Sequence, residues 1–169
     1  MLEGLTEGLA IEPAVMAQAY IEQVRNWRDH EPRADLIDRF GQANGAVLRL
    51  LSSAEFWGLV WDYWPGHQPH ELMTEGGTKR LLMDVAHVHL RATRAGYRRP
   101  GFTDRVEDLR ALFGMGHHPD PVFLLDAPWD VPPGGSFRIA DGVGRMTALA
   151  AVALEKGFNP TPVAMIAEA

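Results

Sequence analysis

Cysteine is absent from the 169 residues, which removes disulfides, thiolate metal sites, cysteine nucleophiles and thiol redox chemistry at once. No uninterrupted apolar run approaches the roughly 18 residues that a membrane-spanning helix needs. The opening MLEGLTEGLAIEP has neither a basic start nor an apolar h-region, so neither a membrane span nor a secretory signal is expected, and the cytoplasm is the expected compartment. An excess of cations is missing too. With 16 Lys+Arg against 22 Asp+Glu the net charge is −6, which argues against a whole-surface nucleic-acid binder, because phosphate neutralisation needs clustered cations. What is present is 46% hydrophobic residues, the composition of one compact domain spanning 1–169.

Along the chain, residues 1–102 read as mainly helical. Pro13 suits the first turn of a helix predicted to run to about His30, with Val15, Ala19 and Ile21 to Val24 as a rough apolar stripe. Leu36, Ile37, Phe40, Val47, Leu48 and Leu51 recur at helical spacing, with a kink or break expected near Gly41 and Gly45. Ser52 followed by Glu55 is a capping-box pattern, so SSAEFWGLVWDYW is predicted to form a helix with Phe56, Val60 and Trp64 on one face. Another helix is predicted from Thr78 to Ala95, facing Leu81, Leu82, Val85, Val88 and Ala92 inward, and a shorter one opens at Asp104 with Glu107 and ends near Gly114.

Residues 103–169 change period. PVFLLDAPW is a short apolar run bounded by prolines, PPGG a turn, and SFRIAD a second strand-like run. Met146 to Lys156 reads as a helix stopped by Gly157, and TPVAMIAEA as a closing strand. The expected fold is α+β, a helical N-terminal portion packed on a small β-α unit.

The chemistry concentrates where SFRIAD hands over to that helix, at Asp141, Gly142, Gly144, Arg145 and Thr147. The first N–H groups of a helix lack internal acceptors and converge on one spot, the dipole favours an anion there, and glycine lets a phosphate approach the backbone. Arg145 adds a fixed cation, expected to face solvent in the free protein, and Thr147 a hydroxyl. Asp141 is the catalytic candidate: it could accept a proton from a hydroxyl nucleophile, hold a metal ion, or cap the helix. The competing reading is a capped turn whose glycines supply positive φ. A Walker A loop is rejected, since Ile139 and Arg145 stand where it needs glycine and lysine, and Thr147 replaces the third glycine of a dinucleotide fingerprint.

The strand SFRIA, the loop Asp141-Gly-Val-Gly-Arg145, the alanine-rich MTALAAVALEKG and the strand TPVAMI resemble the ParB/sulfiredoxin superfamily. With the preceding RVEDLRALFGMGHHPDPVFLLDA, the resemblance covers roughly residues 103–168. It implies a ParB/sulfiredoxin-like β-α unit that binds a nucleotide, ATP or CTP, through the loop, with Mg²⁺ as an accompanying ion. Val143 occupies the sulfiredoxin cysteine position, which excludes cysteine-sulfinic acid reduction, and Val143 and Gly144 stand where a polar pair is often found. Asp141-Gly142, Gly144 and Arg145 are also similar to the loop of Fic-domain AMP-transferases, although Phe137 holds the place of their catalytic histidine and PPGG that of their preceding helix.

Other candidates surround this loop. Arg80, Asp84, His87, Arg91 and Arg94 fall at helical spacing on one polar stripe, within a stretch, 79–110, that carries eight Lys/Arg and four acids. Arg91 is a candidate phosphate or substrate contact there, and a solvated face is the competing reading. His89 falls on the opposite, apolar face and is expected to pack in the core. His117 and His118 lead into the first strand and are candidate substrate contacts. His67, His70 and Glu71 sit among prolines that prevent helical H-x-x-x-H zinc geometry, so no protein metal site is expected. The tryptophan-rich segment with Trp57, Trp61 and Trp64 reads as core or as an oligomer interface. The expected function is a soluble enzyme that binds a nucleotide or other phosphorylated small molecule at Asp141–Thr147, with phosphoryl transfer as its reaction. The alternatives are a non-catalytic ParB-like nucleotide- or DNA-associated module and a degenerate Fic-like protein.

Overall fold

The computed structural model describes residues 2–26, 31–62, 79–96 and 102–168. In chain order they form α1 (Leu2–Glu7), β1 (Leu9–Ile11), α2 (Pro13–Arg25), α3 (Ala34–Gly41), β2 (Gly45–Leu50), α4 (Ser53–Trp57) and β3 (Val60–Asp62). There follow β4 (Lys79–Leu81), α5 (Leu82–Arg94), α6 (Phe102–Gly114), β5 (Val122–Asp126), β6 (Arg138–Asp141), α7 (Val143–Lys156) and β7 (Val163–Glu168). The fold is α+β, and all seven strands join one mixed sheet in the order β1-β2-β7-β5-β6-β3-β4. The β7–β5 and β6–β3 pairs are parallel and the others antiparallel.

The run Val122-Phe-Leu-Leu125 is apolar throughout because β5 is covered on both faces. Val122 and Leu124 join the core beneath α4, α5, α6 and α7, while Phe123 and Leu125 join a second core beneath α2 and α3. In that second core Tyr20, Phe40 and Phe123 pack ring to ring, with centroids 5.3–5.8 Å apart. The apolar face of α2 is Met16, Ala17, Tyr20 and Val24, whereas Val15 of the expected stripe is 55% exposed.

The N-terminal portion supplies four strands of its own, where the sequence reading expected helices around Val47, Val60 and Leu81. Helix α3 stops at Gly41, and Gly45–Leu50 pairs along its whole length with β7, from Gly45 opposite Glu168 to Leu50 opposite Val163. The capping box forms as expected: Ser52 Oγ accepts from Glu55 N at 3.1 Å and Glu55 Oε1 from Ser52 N at 2.9 Å. Its helix nevertheless ends at Trp57. A Cβ on Gly58 would stand 2.8 Å from Gly134 O, so the PPGG turn docks here because position 58 is glycine. Ser136 N donates to Gly58 O at 2.8 Å, and the chain leaves as β3 alongside β6. Trp61 is therefore buried in a strand, Trp57 packs edge-on against Phe56, and Trp64 lies outside the described residues, as do His67, His70 and Glu71.

Two charged contacts lock this corner. Arg49 donates to both Glu55 oxygens, at 2.8 and 2.6 Å, while its guanidinium lies 5.5 Å from the Phe137 ring centre. That bidentate pair, with the capping bond, holds the Glu55 carboxyl down at about 2. Helix α7 is the central helix: its residues from Arg145 to Ala153 are all buried, and the four alanines among them help it sit between the sheet and α5 and α6. Among the described residues no helix is long and apolar enough to cross a membrane.

Candidate functional site

Strand β6 ends at Asp141 and α7 starts at Val143, with Gly142 between them at φ 115°. That left-handed conformation turns the chain from sheet to helix within one residue. Gly142 provides no side-chain cap, and the first intrahelical bond runs from Met146 N to Gly142 O at 2.9 Å. The amides of Val143 and Gly144 therefore precede the helical ladder, at the positive end of a 14-residue helix.

Arg145 folds back across this start. A Cβ on Gly142 would meet Arg145 Nη2 at 2.8 Å, Arg145 Nε at 3.3 Å and Val122 Cγ2 at 3.0 Å, so glycine leaves the room that the guanidinium fills. Nη2 lies 3.4 Å from Asp141 Oδ2. Arg145 is 2% exposed, which corrects the expectation of a solvent-facing cation: α5 and α6 pack over α7, and the guanidinium lies in the space beside Gly142. Burial pushes its pKa down, and the carboxylates of Asp141 and Asp120 oppose that shift.

Thr147 points elsewhere. It is fully buried and its hydroxyl donates to Val143 O at 2.8 Å, which corrects its expected place beside a bound anion. One turn into the helix, the bond back to the carbonyl four residues earlier is the partner within reach. Gly144 is half-buried, and a Cβ there would lie 3.6 Å from Cδ of Arg105, a residue of α6. The structure thus brings Asp141, Gly142, Gly144 and Arg145 together and adds Arg105 and Asp120. No short motif points to either, since Arg105 arrives through the docking of α6 on α7.

The remaining candidates stand apart. His117 and His118 are exposed between α6 and β5, and among the described residues neither hydrogen-bonds to the loop. Arg91 is exposed in the last turn of α5 together with Arg94, where cations complement the helix dipole. Asp84 and His87 share that exposed face, while His89 is buried at 4% exposure, as expected of a core histidine. Among the described residues no group of three or more His, Asp or Glu side chains gathers as a metal site.

No family model, curated protein or solved structure matches the chain.

Proposed function

We propose that the protein is a cytoplasmic enzyme that binds a nucleotide, ATP or CTP, or another phosphorylated small molecule at the start of α7, and transfers a phosphoryl group. The observation that carries this reading is the uncapped start of α7, which follows a left-handed glycine with Arg145 and Arg105 beside it. Phosphate oxygens accept from the Val143 and Gly144 amides, and the absence of a side chain at position 144 lets them come close. Arg145 Nη2 turns from Asp141 to the ligand, and Arg105 supplies a second cation from α6. Asp141 takes the proton of the acceptor hydroxyl as that oxygen bonds to the terminal phosphorus and the nucleoside diphosphate leaves. Where Mg²⁺ accompanies the nucleotide, Asp141 would hold the ion instead of acting as the base, and the ion would offset the phosphate charge.

The 3.4 Å Asp141–Arg145 contact favours a second reading, because a carboxylate held by a buried guanidinium is engaged in the fold rather than in proton transfer. This is a non-catalytic ParB-like module, responsive to nucleotide and associated with DNA through Arg91 and Arg94. Residues of β5 and β6 are strands where a Fic-like chain is expected to be helical, and this favours the two readings above over the degenerate Fic-like one.

A thermal-shift screen over nucleotides and phosphorylated metabolites, with and without Mg²⁺, tests the shared premise. A ligand at 100 times its Kd stabilises by about 2.7 kcal/mol, a rise of several degrees at about 2–4 °C per kcal/mol. No rise with any ligand refutes both readings. Turnover of ATP or CTP with an acceptor, abolished in Asp141→Asn, selects the enzyme. Nucleotide binding without turnover, joined by salt-dependent DNA affinity that Arg91→Ala and Arg94→Ala remove, selects the module.

A further inference from the structure

Away from the start of α7, ionisable groups from three helices form a connected chain. It begins at His89, which lies on the inner face of α5 near Leu82, Val85 and Ala86, with 4% of its surface exposed. Its Nε2 has no hydrogen-bond partner among the described residues and stands 3.7 Å from Glu107 Oε1 on α6. Both Glu107 oxygens accept from Arg110 Nη1, each at 3.1 Å. Arg110 Nη2 continues the chain to Glu155 on α7. Glu107, Arg110 and Glu155 line a groove of about 290 Å³ between α6 and α7, together with Ala111 and Val152.

A leucine would fill the position of His89 without a buried nitrogen lacking a partner. The imidazole instead faces Glu107, the carboxylate on α6 that holds Arg110, which in turn bridges to Glu155 on α7. At 3.7 Å a neutral ring gains little from that carboxylate, whereas an imidazolium would draw it to the about 2.7–2.9 Å of a charge-assisted hydrogen bond. The movement required is less than about 1 Å.

We propose that His89 is a proton-operated switch for this groove: charged by a proton from solvent, it takes one Glu107 oxygen from Arg110 and leaves Arg110 held by Glu155. The inference is independent of the ligand reading at α7. The charges acting on His89 are Glu107 and Arg110, both from α6, and Glu155 of α7 stands behind Arg110. On α4 the one carboxylate, Glu55, is taken by Arg49. Burial holds the imidazole below its ordinary value of 6.5, Glu107 opposes that shift and Arg110 adds to it, so the switch operates on the acid side of neutrality.

Histidine-selective NMR on the full chain, titrated from neutral pH downward, reads the switch, with His89 assigned by His89→Gln and the Arg110 Nε–H signal followed in the same samples. The expected result is a His89 midpoint below 6.5 and an Arg110 signal that moves with that midpoint. Glu107→Gln should abolish the Arg110 movement and lower the His89 midpoint by at least about half a pH unit, a threefold change in proton affinity. Arg110→Gln, which removes the opposing cation, should raise the midpoint, and it keeps the test open if Glu107→Gln fails to fold. An Arg110 signal that stays flat while His89 titrates overturns the proposal. So does a His89 that stays neutral until circular dichroism shows unfolding, or a midpoint that neither variant moves.

Discussion

Replacing Arg145 with alanine separates a structural guanidinium from a ligand-facing one. The side chain is 3% exposed, fills the space beside Gly142, and has the Asp141 carboxylate, 22% exposed, at 3.4 Å. Removing one partner of a buried pair costs about 3–5 kcal/mol, because the other charge is left uncompensated. Water still reaches Asp141, which moves the expected loss to the lower end, about 3 kcal/mol. At about 2–4 °C per kcal/mol for a chain of this size, Arg145→Ala should melt about 6–12 °C below the wild type without ligand. Arg145→Met combined with Asp141→Asn removes both charges and keeps the stem, and should recover most of that loss, since replacing a whole buried pair is often neutral. Urea titrations followed by circular dichroism give both numbers. An Arg145→Ala protein that melts within about 2 °C of the wild type, less than about 1 kcal/mol, would refute the buried pair.

Gly142→Ala forces a side chain into a left-handed residue and against Arg145 Nη2 at 2.8 Å, so urea unfolding should show a loss of about 2–3 kcal/mol. A variant as stable as the wild type would contradict the turn geometry. Glu55 has a folded-state pKa of about 2 against an ordinary 4.5, so its contribution is complete above 4.5 and is lost as the pH falls toward 2. Acid titrations of stability should slope over that window, and Glu55→Gln should flatten the slope. Arg105→Ala should weaken binding of whichever nucleotide the thermal-shift screen identifies by at least about tenfold, about 1.4 kcal/mol, while the melting temperature without ligand moves less than about 2 °C. Unchanged affinity in calorimetry would remove Arg105 from the site.

Where a signal is local, the sequence carried it. The Ser52–Glu55 capping box, the doubly buried run Val122–Leu125, and α7 ending at Gly157 each depend on residues within a few positions of one another. Where pairing partners are distant, the sequence misled. Val47 and Leu48 fit a helical period only because Leu36 and Phe40 precede them, and their strand exists through β7. Val60 continues an apparent helix face from Phe56, yet the docking of the PPGG turn on Gly58 redirects it into β3. At the candidate site, the turn and its glycines follow from the Asp141-Gly-Val-Gly spacing. The burial of Arg145 and the arrival of Arg105 depend on how α5 and α6 cover α7, which no short motif encodes.

The position of β7 bears on how the protein is made. This strand follows β2 and β5 in chain order, yet it lies between them in the sheet, bonded on one side to β2 and on the other to β5. During synthesis, which delivers the N-terminal residues first, β2 and β5 emerge with apolar faces and unsatisfied backbone edges while the strand that joins them is still unmade. Closure then brings Leu50 to Val163 across most of the chain, a high-contact-order step that slows folding. A nascent chain released before Val163–Glu168 has been added would hold two sheet fragments without their shared neighbour, and it would be a substrate for chaperones and proteases rather than a smaller folded protein.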